Sequence, residues 1–333
     1  MFTCDPARMT VVTIGEVVVD WLATEAGKGF TNARSFYRCL GGNASNVAIG
    51  LSRLGTRTRL IGKVGNDLHG HYLREILQSE GIDLRFLKTE ADYPTAQCYV
   101  FTEDDGEHSF YNWPRPHAAQ MLRPADVAEE ALANAAFLHA TGISYTLNPR
   151  KSAVQRAIEL ALERGLALSF DAGFPTGEDS EAQQALESAL ALAHILKVNR
   201  RELAFWSGGS ADDPIEDQAA RLFAKYQPVV LAVTLGADGA YLLTGKGSVR
   251  CLPFSVASLG GVGAGDGFIA GMLHALGQQL GDRLTAETLS RLETSEWERA
   301  GLYGNAVGAL VTTRIGACEA LPTASQVEEL LNG

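Results

Sequence analysis

The sequence is poor in cysteine and in positive charge, and no long hydrophobic run interrupts its 333 residues. Five cysteines stand far apart, at Cys4, Cys39, Cys98, Cys251 and Cys318. Their number and spacing argue against a disulfide framework or a CxxC metal site, so we expect buried thiols in a reducing compartment. With 39 acidic against 28 basic residues, the net charge is −11. That charge argues against a nucleic-acid or membrane-surface partner, because such polyanions would be repelled.

Missing sequence motifs narrow the function further. No apolar run approaches the ~20 residues that span a bilayer, and the first residues lack the pattern of a signal peptide. We therefore expect a cytoplasmic protein without a membrane partner. No GxxxxGK[ST] sequence of a P-loop occurs, and no GxGxxG fingerprint follows the first predicted strand. A nicotinamide-linked oxidoreductase is therefore a disfavoured interpretation.

What the sequence does contain is strand-length apolar runs that alternate with helical patterns, as is typical of parallel strands joined by crossover helices. The strands are predicted within 10–20, 58–65, 135–142, 166–173, 194–202 and 229–243, with helices at 43–55 and 151–165 among others. We therefore expect one α/β domain over residues 1–333, built on a doubly wound, mainly parallel sheet flanked by helices.

Two stretches break this alternation, at about 17–40 and 93–118. Residues 95–114 have the pattern of a β-hairpin whose turn is an Asp-Gly pair. Together the two stretches predict a small β-rich lid that leans on the core, and its apolar arms permit a homodimer through the lid. Thr95 and Gln97 in the first arm either cover a bound substrate or pack the hairpin and a dimer interface.

The stretch GGVGAGDGFIAG at 260–271 carries a chemical signal. Its glycines bring bare backbone N–H groups to the start of a predicted helix, where these groups and the helix dipole attract an anion such as phosphate. An acid beside such a loop repels phosphate, so the presence of Asp266 requires a reason. Asp266 is either a general base that takes a proton from an attacking hydroxyl, or the N-cap of the helix.

Another polar group stands near the start of the chain. Asp20 ends an apolar strand, and Gly41, Gly42, Asn43 and Asn46 lie at the entrance of a predicted helix. A carboxylate together with amides suits a polyol, because sugar hydroxyls both donate and accept hydrogen bonds. The two asparagines are alternatively helix caps, and the two roles are compatible.

Five segments, in order along the chain, resemble the signatures of the ribokinase-like (PfkB) carbohydrate kinases. They are GGNASNVAIGLSRLG (41–55) with IGKVGNDLHG (61–70), LKVNRRE (196–202), TLGADGA (234–240), GGVGAGDGFIAG (260–271) and GNAVGALVTTRIGA (304–317). The match spans nearly the whole chain, and its layout is closest to the fructokinase branch. The resemblance implies an ATP-dependent sugar kinase, with the O6 hydroxyl of fructose as the first acceptor to consider.

The resemblance also implies roles for single residues. Asp266 would be the catalytic base, and the amides of Gly263, Ala264 and Gly265 would form an anion hole. Asn199 and Glu202 would hold Mg²⁺ through water, or they form a capping box at a helix start. The nucleotide would lie along Lys197, Asn199, Thr234, Gly236, Gly239 and Asn305, although a strand-end lysine such as Lys197 is alternatively just solvated. The sugar would lie along Asp20, Gly41, Gly42, Asn43, Asn46, Thr95, Gln97 and Arg115.

Departures from the family pattern leave alternatives open. The tripeptide Gly260-Gly261-Val262 stands where the family usually has Asp-Thr-Thr, whose Asp commonly helps to hold a monovalent cation, which argues against potassium activation. Gly173 and Pro175 follow Asp171 in place of the family's Asn and Arg, which weakens the case for a phosphorylated or acidic sugar. The alternatives are another sugar, the sugar acid 2-keto-3-deoxygluconate, a nucleoside, or a non-catalytic protein that binds a sugar or a protein partner on the kinase fold.

Overall fold

Two β-sheets organise the computed structural model, which describes residues 9–103, 108–112, 116–173, 180–210, 212–281 and 284–333. The strands are β1 Thr10–Ile14, β2 Val18–Ala23, β3 Phe36–Gly41, β4 Arg57–Gly65, β5 Leu87–Glu90, β6 Ala96–Thr102, β7 His108–Asn112, β8 Phe137–Thr141, β9 Ala167–Asp171, β10 Ile195–Asn199, β11 Val230–Thr234, β12 Ala240–Thr244 and β13 Gly247–Cys251. The helices are α1 Gly29–Asn32, α2 Asn43–Arg53, α3 Leu68–Ser79, α4 Arg150–Glu163, α5 Ser180–Leu190, α6 Arg200–Ser207, α7 Ile215–Tyr226, α8 Ala264–Leu280, α9 Ala286–Arg291, α10 Thr294–Val311 and α11 Ala324–Asn332.

The larger sheet has nine strands in the order β13-β12-β11-β10-β9-β8-β1-β4-β5. The strands from β11 to β5 in this order pair in parallel, and β12 and β13 extend one edge in antiparallel fashion. The chain builds outward from β1 to β4 and β5, then returns to β8 beside β1 and builds outward on the other side. Ligands of such sheets bind in the crevice outside the carboxyl ends of the strands, at the point where the strand order reverses. Here that point lies between β1 and β8.

Helices cover both faces of the larger sheet, because its central strands are apolar on both faces. One face packs against α4, α5, α6 and α7, and the other packs against α2, α8, α10 and α11. Helix α8 is buried continuously from Asp266 to Gly277. It approaches α10 closely, since a Cβ on Gly271 would lie 2.7 Å from the Val307 side chain. The first turn of α8 is thereby held firmly at the carboxyl end of the sheet.

The smaller sheet has four strands in the order β3-β2-β6-β7. Apart from Gly41, the last residue of β3, these strands lie within the two stretches, 17–40 and 93–118, from which the sequence predicts a lid. Strands β6 and β7 pair as the predicted hairpin, although its turn at 104–107 lies outside the described residues. The predicted fold class, a doubly wound and mainly parallel sheet with a small β-rich addition, is confirmed. The movement of the smaller sheet as a lid stays a prediction.

Cys39, Cys98, Cys251 and Cys318 are free and buried, as the sequence predicts. Within the described ranges, none of the helices combines the length and apolar character that crossing a bilayer requires. Cys4, Arg115 and Pro175 lie outside the described residues.

We predict that Gly142 is required where β8 ends. A Cβ at this position would lie 1.8 Å from the backbone oxygen of Ala172, which the sheet holds in place. Gly142→Ala should therefore lower the free energy of unfolding by about 1–3 kcal/mol, the usual cost of overpacking. Urea denaturation measures it, with Gly245→Ala as the control because a Cβ there meets nothing within 4 Å. Equal unfolding midpoints for the two variants would contradict the prediction.

Candidate active site

The glycine-rich stretch forms a turn that leads into α8. Gly263 has a φ of +80° and is the residue before the first helical turn, a conformation that favours glycine. The first amides of a helix have no acceptor within the helix. The Ala264 amide donates to the Gly261 oxygen at 3.2 Å, so this amide of the predicted anion hole already has an acceptor within the loop. The amides of Gly265 and Asp266 lie at the helix start, where the helix dipole favours an anion.

Asp266 accepts hydrogen bonds from two side chains of α2. Asn43 Nδ2 lies 3.1 Å from Asp266 Oδ1, and Asn46 Nδ2 lies 2.9 Å from Asp266 Oδ2. The N-cap of α8 is Gly263, and the N-cap of α2 is Gly42. The alternative interpretation of Asp266, Asn43 and Asn46 as helix caps is therefore wrong. The two helix starts meet, and the asparagines orient the carboxylate.

The pKa of Asp266 is moved into the neutral range. Burial raises the pKa of Asp266 to about 7, because the site disfavours the charged form. The Asn46 hydrogen bond and the Lys197 ammonium pull this pKa down, while the carboxylates of Asp171 and Glu16 push it up. A carboxylate with a pKa near the working pH can both take and release a proton, which is what a general base needs.

Asp20 lies on β2, close enough to Asp266 for the two carboxylates to interact electrostatically. Burial, followed by the charges of Glu319, Asp266 and Glu16, raises the pKa of Asp20 to about 7. Gly41 on the neighbouring strand leaves the space that this carboxylate occupies, since a Cβ on Gly41 would lie 1.8 Å from Asp20 Oδ2. The structure thus places Asp20, Gly41, Asn43 and Asn46 near Asp266, and their binding of a polyol stays a prediction.

Lys197 is buried beneath the start of α8. Its side chain is 6% exposed, and Nζ donates to Asp171 Oδ2 at 2.9 Å. Burial alone lowers the pKa of Lys197, but the Asp171 and then the Glu202 carboxylates hold it above its ordinary value. A Cβ on Gly265 would lie 3.0 Å from Lys197 Nζ, which places the ammonium against the predicted anion hole. The alternative of a solvated lysine is wrong.

Asn199 and Glu202 form the capping box that the sequence offers as an alternative. Asn199 is the N-cap of α6, its Oδ1 accepts from the Glu202 amide at 2.9 Å, and its Nδ2 and N donate to Glu202 Oε1 and Oε2 at 2.8 Å. Burial raises the pKa of Glu202 to about 7, against the lowering effect of Lys197. The carboxylate oxygens keep further lone pairs, and an all-oxygen set held by a rigid cap fits a hard cation bound through water. The box therefore does not compete with the predicted metal role.

A cavity of about 980 Å³ adjoins the start of α8. Of the predicted nucleotide residues, all but Lys197 line it. They are Asn199, Thr234, Gly236, Gly239 and Asn305, together with Ala264, Gly265 and an apolar wall that includes Pro253, Phe254 and Val256. Its size and its mixed polar and apolar lining are those of a small-molecule site. Asn305 donates through Nδ2 to the oxygens of Cys251 and Leu252 at 2.9 and 3.0 Å, so this amide group holds the wall in position.

The predicted lid contacts are placed differently. Thr95 donates through Oγ1 to Asp67 and accepts from the Gly65 amide, so its hydroxyl ties β6 to the larger sheet. Gln97 accepts from Trp21 Nε1 at 2.9 Å. It follows Ala96 and precedes Cys98, the register partner of Asp20, so Gln97 points to the other face of the smaller sheet. The structure does not bring Thr95 and Gln97 to the Asp20 carboxylate.

Sequence reasoning missed two carboxylates of the site. Glu16 follows β1, its Oε2 accepts from the Ser144 hydroxyl and lies 3.7 Å from Arg150 Nη1, and its Oε1 is buried without a hydrogen-bond partner. A charged residue two positions after a buried strand, at the carboxyl edge of the sheet, is a signal that could have found it. Glu319 approaches from the C-terminal segment, and no local pattern in the sequence marks it.

Comparisons with known proteins identify one family of enzymes. The family described as "pfkB family carbohydrate kinase" matches residues 8–324. "Probable fructokinase-4" of Arabidopsis thaliana is 34% identical over 333 residues, covering 98% of this chain and 98% of the relative. The structure of fructokinase from Vibrio cholerae O395 with fructose, ADP and calcium ion superposes with a TM-score of 0.84 at 28% identity, covering 98% of this chain and 99% of the other. Aminoimidazole riboside kinase from Salmonella enterica, with aminoimidazole riboside and an ATP analogue, gives 0.79 at 28% identity, covering 97% and 99%.

The raised pKa of Asp20 predicts a stability that falls as the pH rises. The unfolded chain loses this proton near pH 4 and the folded chain near 7, so the folded state binds more protons in between and is destabilised across that window. Asp20→Asn removes the penalty. The increase in Tm that Asp20→Asn causes should be several degrees larger at pH 8 than at pH 5. Calorimetry at the two pH values measures it.

The control for this measurement is Asp83→Asn. The Arg85 hydrogen bond lowers the pKa of Asp83, so the stability that it contributes is already complete at both pH values. Its loss should lower the Tm by a similar small amount at pH 5 and at pH 8. A gain from Asp20→Asn that does not change with pH would contradict the prediction.

Proposed function

Since this chain belongs to the pfkB family of carbohydrate kinases and transfers a phosphoryl group to a sugar hydroxyl, we propose that its acceptor is fructose, phosphorylated at O6 with Mg-ATP as the donor. The ATP would occupy the cavity beside α8, and the sugar would lie between Asp20 and Asp266. The observation that carries the proposal is the buried Asp266 carboxylate, held by Asn43 and Asn46 at the start of a helix.

The chemistry follows from this arrangement. The sugar hydroxyl attacks the γ-phosphorus and its proton passes to Asp266, while the amides at the start of α8 stabilise the charge on the transferring group. When bound with ATP, Mg²⁺ would neutralise part of the phosphate charge. Asn199, which lines the cavity, and Glu202, whose carboxylate accepts from Asn199, would hold it through water.

The charges around the acceptor favour a neutral sugar. Burial raises the pKa of Asp20 most, and the nearby carboxylates of Glu319, Asp266 and Glu16 raise it further. Such a cluster repels a sugar acid or a sugar phosphate, whereas a neutral polyol supplies hydroxyl donors to the carboxylates. The fructokinases among the relatives support fructose within that class. A nucleoside such as aminoimidazole riboside, the substrate of one structural neighbour, is also neutral and is the second acceptor to test.

We predict that the purified protein forms fructose 6-phosphate and ADP from fructose and Mg-ATP. Because Asp266 must be ionised to act as a base, kcat should rise with pH through about 7. Asp266→Asn should lower kcat by at least about 1,000-fold while ADP binding persists. The measurement is a coupled ADP-release assay with fructose, glucose, ribose, aminoimidazole riboside and 2-keto-3-deoxygluconate.

The assay has two further arms. Asp83→Asn, an equivalent exchange remote from the site, should keep the wild-type rate. Replacing potassium by tetramethylammonium should leave turnover unchanged, since the family's cation-holding Asp is absent from Gly260-Gly261-Val262. Sugar binding without turnover of any acceptor would support a non-catalytic protein instead. Turnover of another acceptor alone would overturn the assignment of fructose.

We also propose that the smaller sheet closes over the acceptor and pairs with a second copy of the chain. Phe30, Phe36, Tyr99 and Tyr111 form a connected aromatic group on the face of this sheet opposite Asp20, with Phe30 and Tyr111 ring centroids 4.7 Å apart. Phe30 is 57% and Tyr111 50% exposed. Exposed aromatic groups of this kind are typical of protein interfaces.

The homodimer yields a prediction for light scattering. The wild type should elute with the mass of two chains, and Phe30→Glu should give one chain, because a charge would be buried in the aromatic contact. Leu192→Glu, at an apolar residue that is 44% exposed and far from the smaller sheet, should remain dimeric. A monomeric wild type, or dissociation by both variants, would contradict this interface.

A further inference from the structure

The turn before α8 carries one apolar side chain, Val262, among glycines. A Cβ on Gly260 or Gly261 would meet nothing within 4 Å, so the backbone on this side of Val262 lies open. The amides of Leu259 and Gly260 donate to the Thr312 oxygen at 2.7 and 3.2 Å, which tethers the start of the turn to the residue after α10. Glycine loses more conformational freedom than other residues when a loop is ordered. The contact that Val262 makes therefore matters for fixing the turn in front of the α8 amides.

Val262 packs against the smaller sheet. It joins an apolar cluster, here called the inner cluster, whose other members are Leu22, Cys39, Cys98 and Val100, with Val18 alongside. Cys39 and Cys98 are the register partners of Asp20 on β3 and β6, so the inner cluster lies on the face of the sheet that carries the Asp20 carboxylate. Among the described residues of this cluster, Val262 alone comes from outside the smaller sheet. The turn before α8 thus touches the face that is proposed to hold the acceptor.

The smaller sheet also borders the nucleotide side. His108 on β7 lines the cavity of about 980 Å³, and so do Gly261 of the turn and Gly265 of α8. Strand β7 pairs with β6, where His108 is the register partner of Thr102. One sheet therefore adjoins both proposed substrate sites, and Val262 connects this sheet to the turn that leads into α8.

We infer that Val262 is a positioning residue that couples the binding of the acceptor to the binding of the nucleotide. This inference rests on the proposed function, in which Asp20 holds the acceptor and the start of α8 faces the phosphates. An acceptor bound at Asp20 would hold the smaller sheet in place, and the inner cluster would then hold Val262 and order the glycine-rich turn. The turn loses its conformational entropy at that step, so the phosphates of ATP meet amides that are already fixed.

Coupling of this kind acts in both directions. If the acceptor tightens the binding of the nucleotide by some factor, the nucleotide must tighten the binding of the acceptor by the same factor. A valine that only filled space would affect the free energy of unfolding and leave this coupling factor unchanged. The coupling factor therefore separates a positioning role for Val262 from a purely structural one.

The first test measures the coupling factor by calorimetry, as the Kd of Mg-AMP-PNP without fructose divided by its Kd with saturating fructose. We expect a factor of at least about ten in the wild type and below about two in Val262→Ala, because the shortened side chain loses most of its contact with the inner cluster. Val229→Ala is the matched control. It removes the same atoms from a half-buried valine just before β11, which packs in the core at the amino edge of the larger sheet, and it should keep the wild-type factor.

The second test needs no acceptor and uses hydrogen exchange with mass spectrometry. In the wild type, Mg-AMP-PNP alone should slow amide exchange in β2 and β6 at least about threefold, because an ordered turn holds the smaller sheet through Val262. In Val262→Ala, the same ligand should leave exchange in these two strands unchanged. If fructose does not bind to the wild type, the assignment of fructose fails, and this comparison still decides the role of Val262.

Three results would overturn the inference. They are a wild type that shows coupling in neither measurement, equal coupling in the wild type and Val262→Ala, and an equal loss of coupling in Val229→Ala. Circular dichroism checks the fold of each variant. If Val262→Ala unfolds, Val262→Ser takes its place, since it also removes the apolar contact and should give the same loss of coupling.

Discussion

The contact between α2 and the Asp266 carboxylate is the interaction on which the site depends. Asn43 and Asn46 reach this carboxylate across more than 200 residues of sequence, and they use both of its oxygens. Because each helix start is fixed on the sheet by its own buried face, the two amides cannot move away without disturbing both helices. The Asp266 carboxylate, the proposed base, is thereby oriented before any substrate arrives, and the amides of Gly265 and Asp266 lie at the same helix start. Such preorganisation avoids paying for reorientation during the reaction.

The electrostatics of the site follow from the same crowding. Four carboxylates, Glu16, Asp20, Asp171 and Asp266, gather at the carboxyl edge of the larger sheet, and burial raises the pKa of Asp20 and Asp266 to about 7. A negative cluster suits neutral hydroxyl donors on one side but opposes a triphosphate on the other. The Lys197 ammonium, paired with Asp171, and the start of α8 lie beside this cluster and would offset its charge where a triphosphate approaches. A divalent cation held beside Asn199 and Glu202 would reduce the repulsion further.

The sequence alone could predict the fold class and most of the site, because both are marked by local patterns. Alternating strands and helices predict the sheet, and the glycine-rich turn before α8 predicts where an anion and Asp266 lie. The contacts that the sequence could not predict depend on which helices and strands meet in the fold. The asparagines of α2 look like caps or sugar ligands until α8 is placed against them. Lys197 looks solvated until the start of α8 covers it. The direction of Gln97 depends on strand register, where a shift of one residue exchanges the two faces of a sheet.

The site is built at a cost to stability, and the surrounding fold explains why that cost is tolerated. An acid whose pKa is raised on folding destabilises the protein at neutral pH, and both Asp20 and Asp266 belong to this class. Gly41 adds to the cost, because a larger residue there would fill space that the Asp20 carboxylate needs. These residues lie at the carboxyl edge of a nine-stranded sheet whose two faces are covered by separate apolar cores. The cores stabilise the sheet independently of its edge, so the edge can hold unfavourable charges in fixed positions. Function therefore concentrates where the local rules of stability are broken, and the intact rules elsewhere keep those positions fixed.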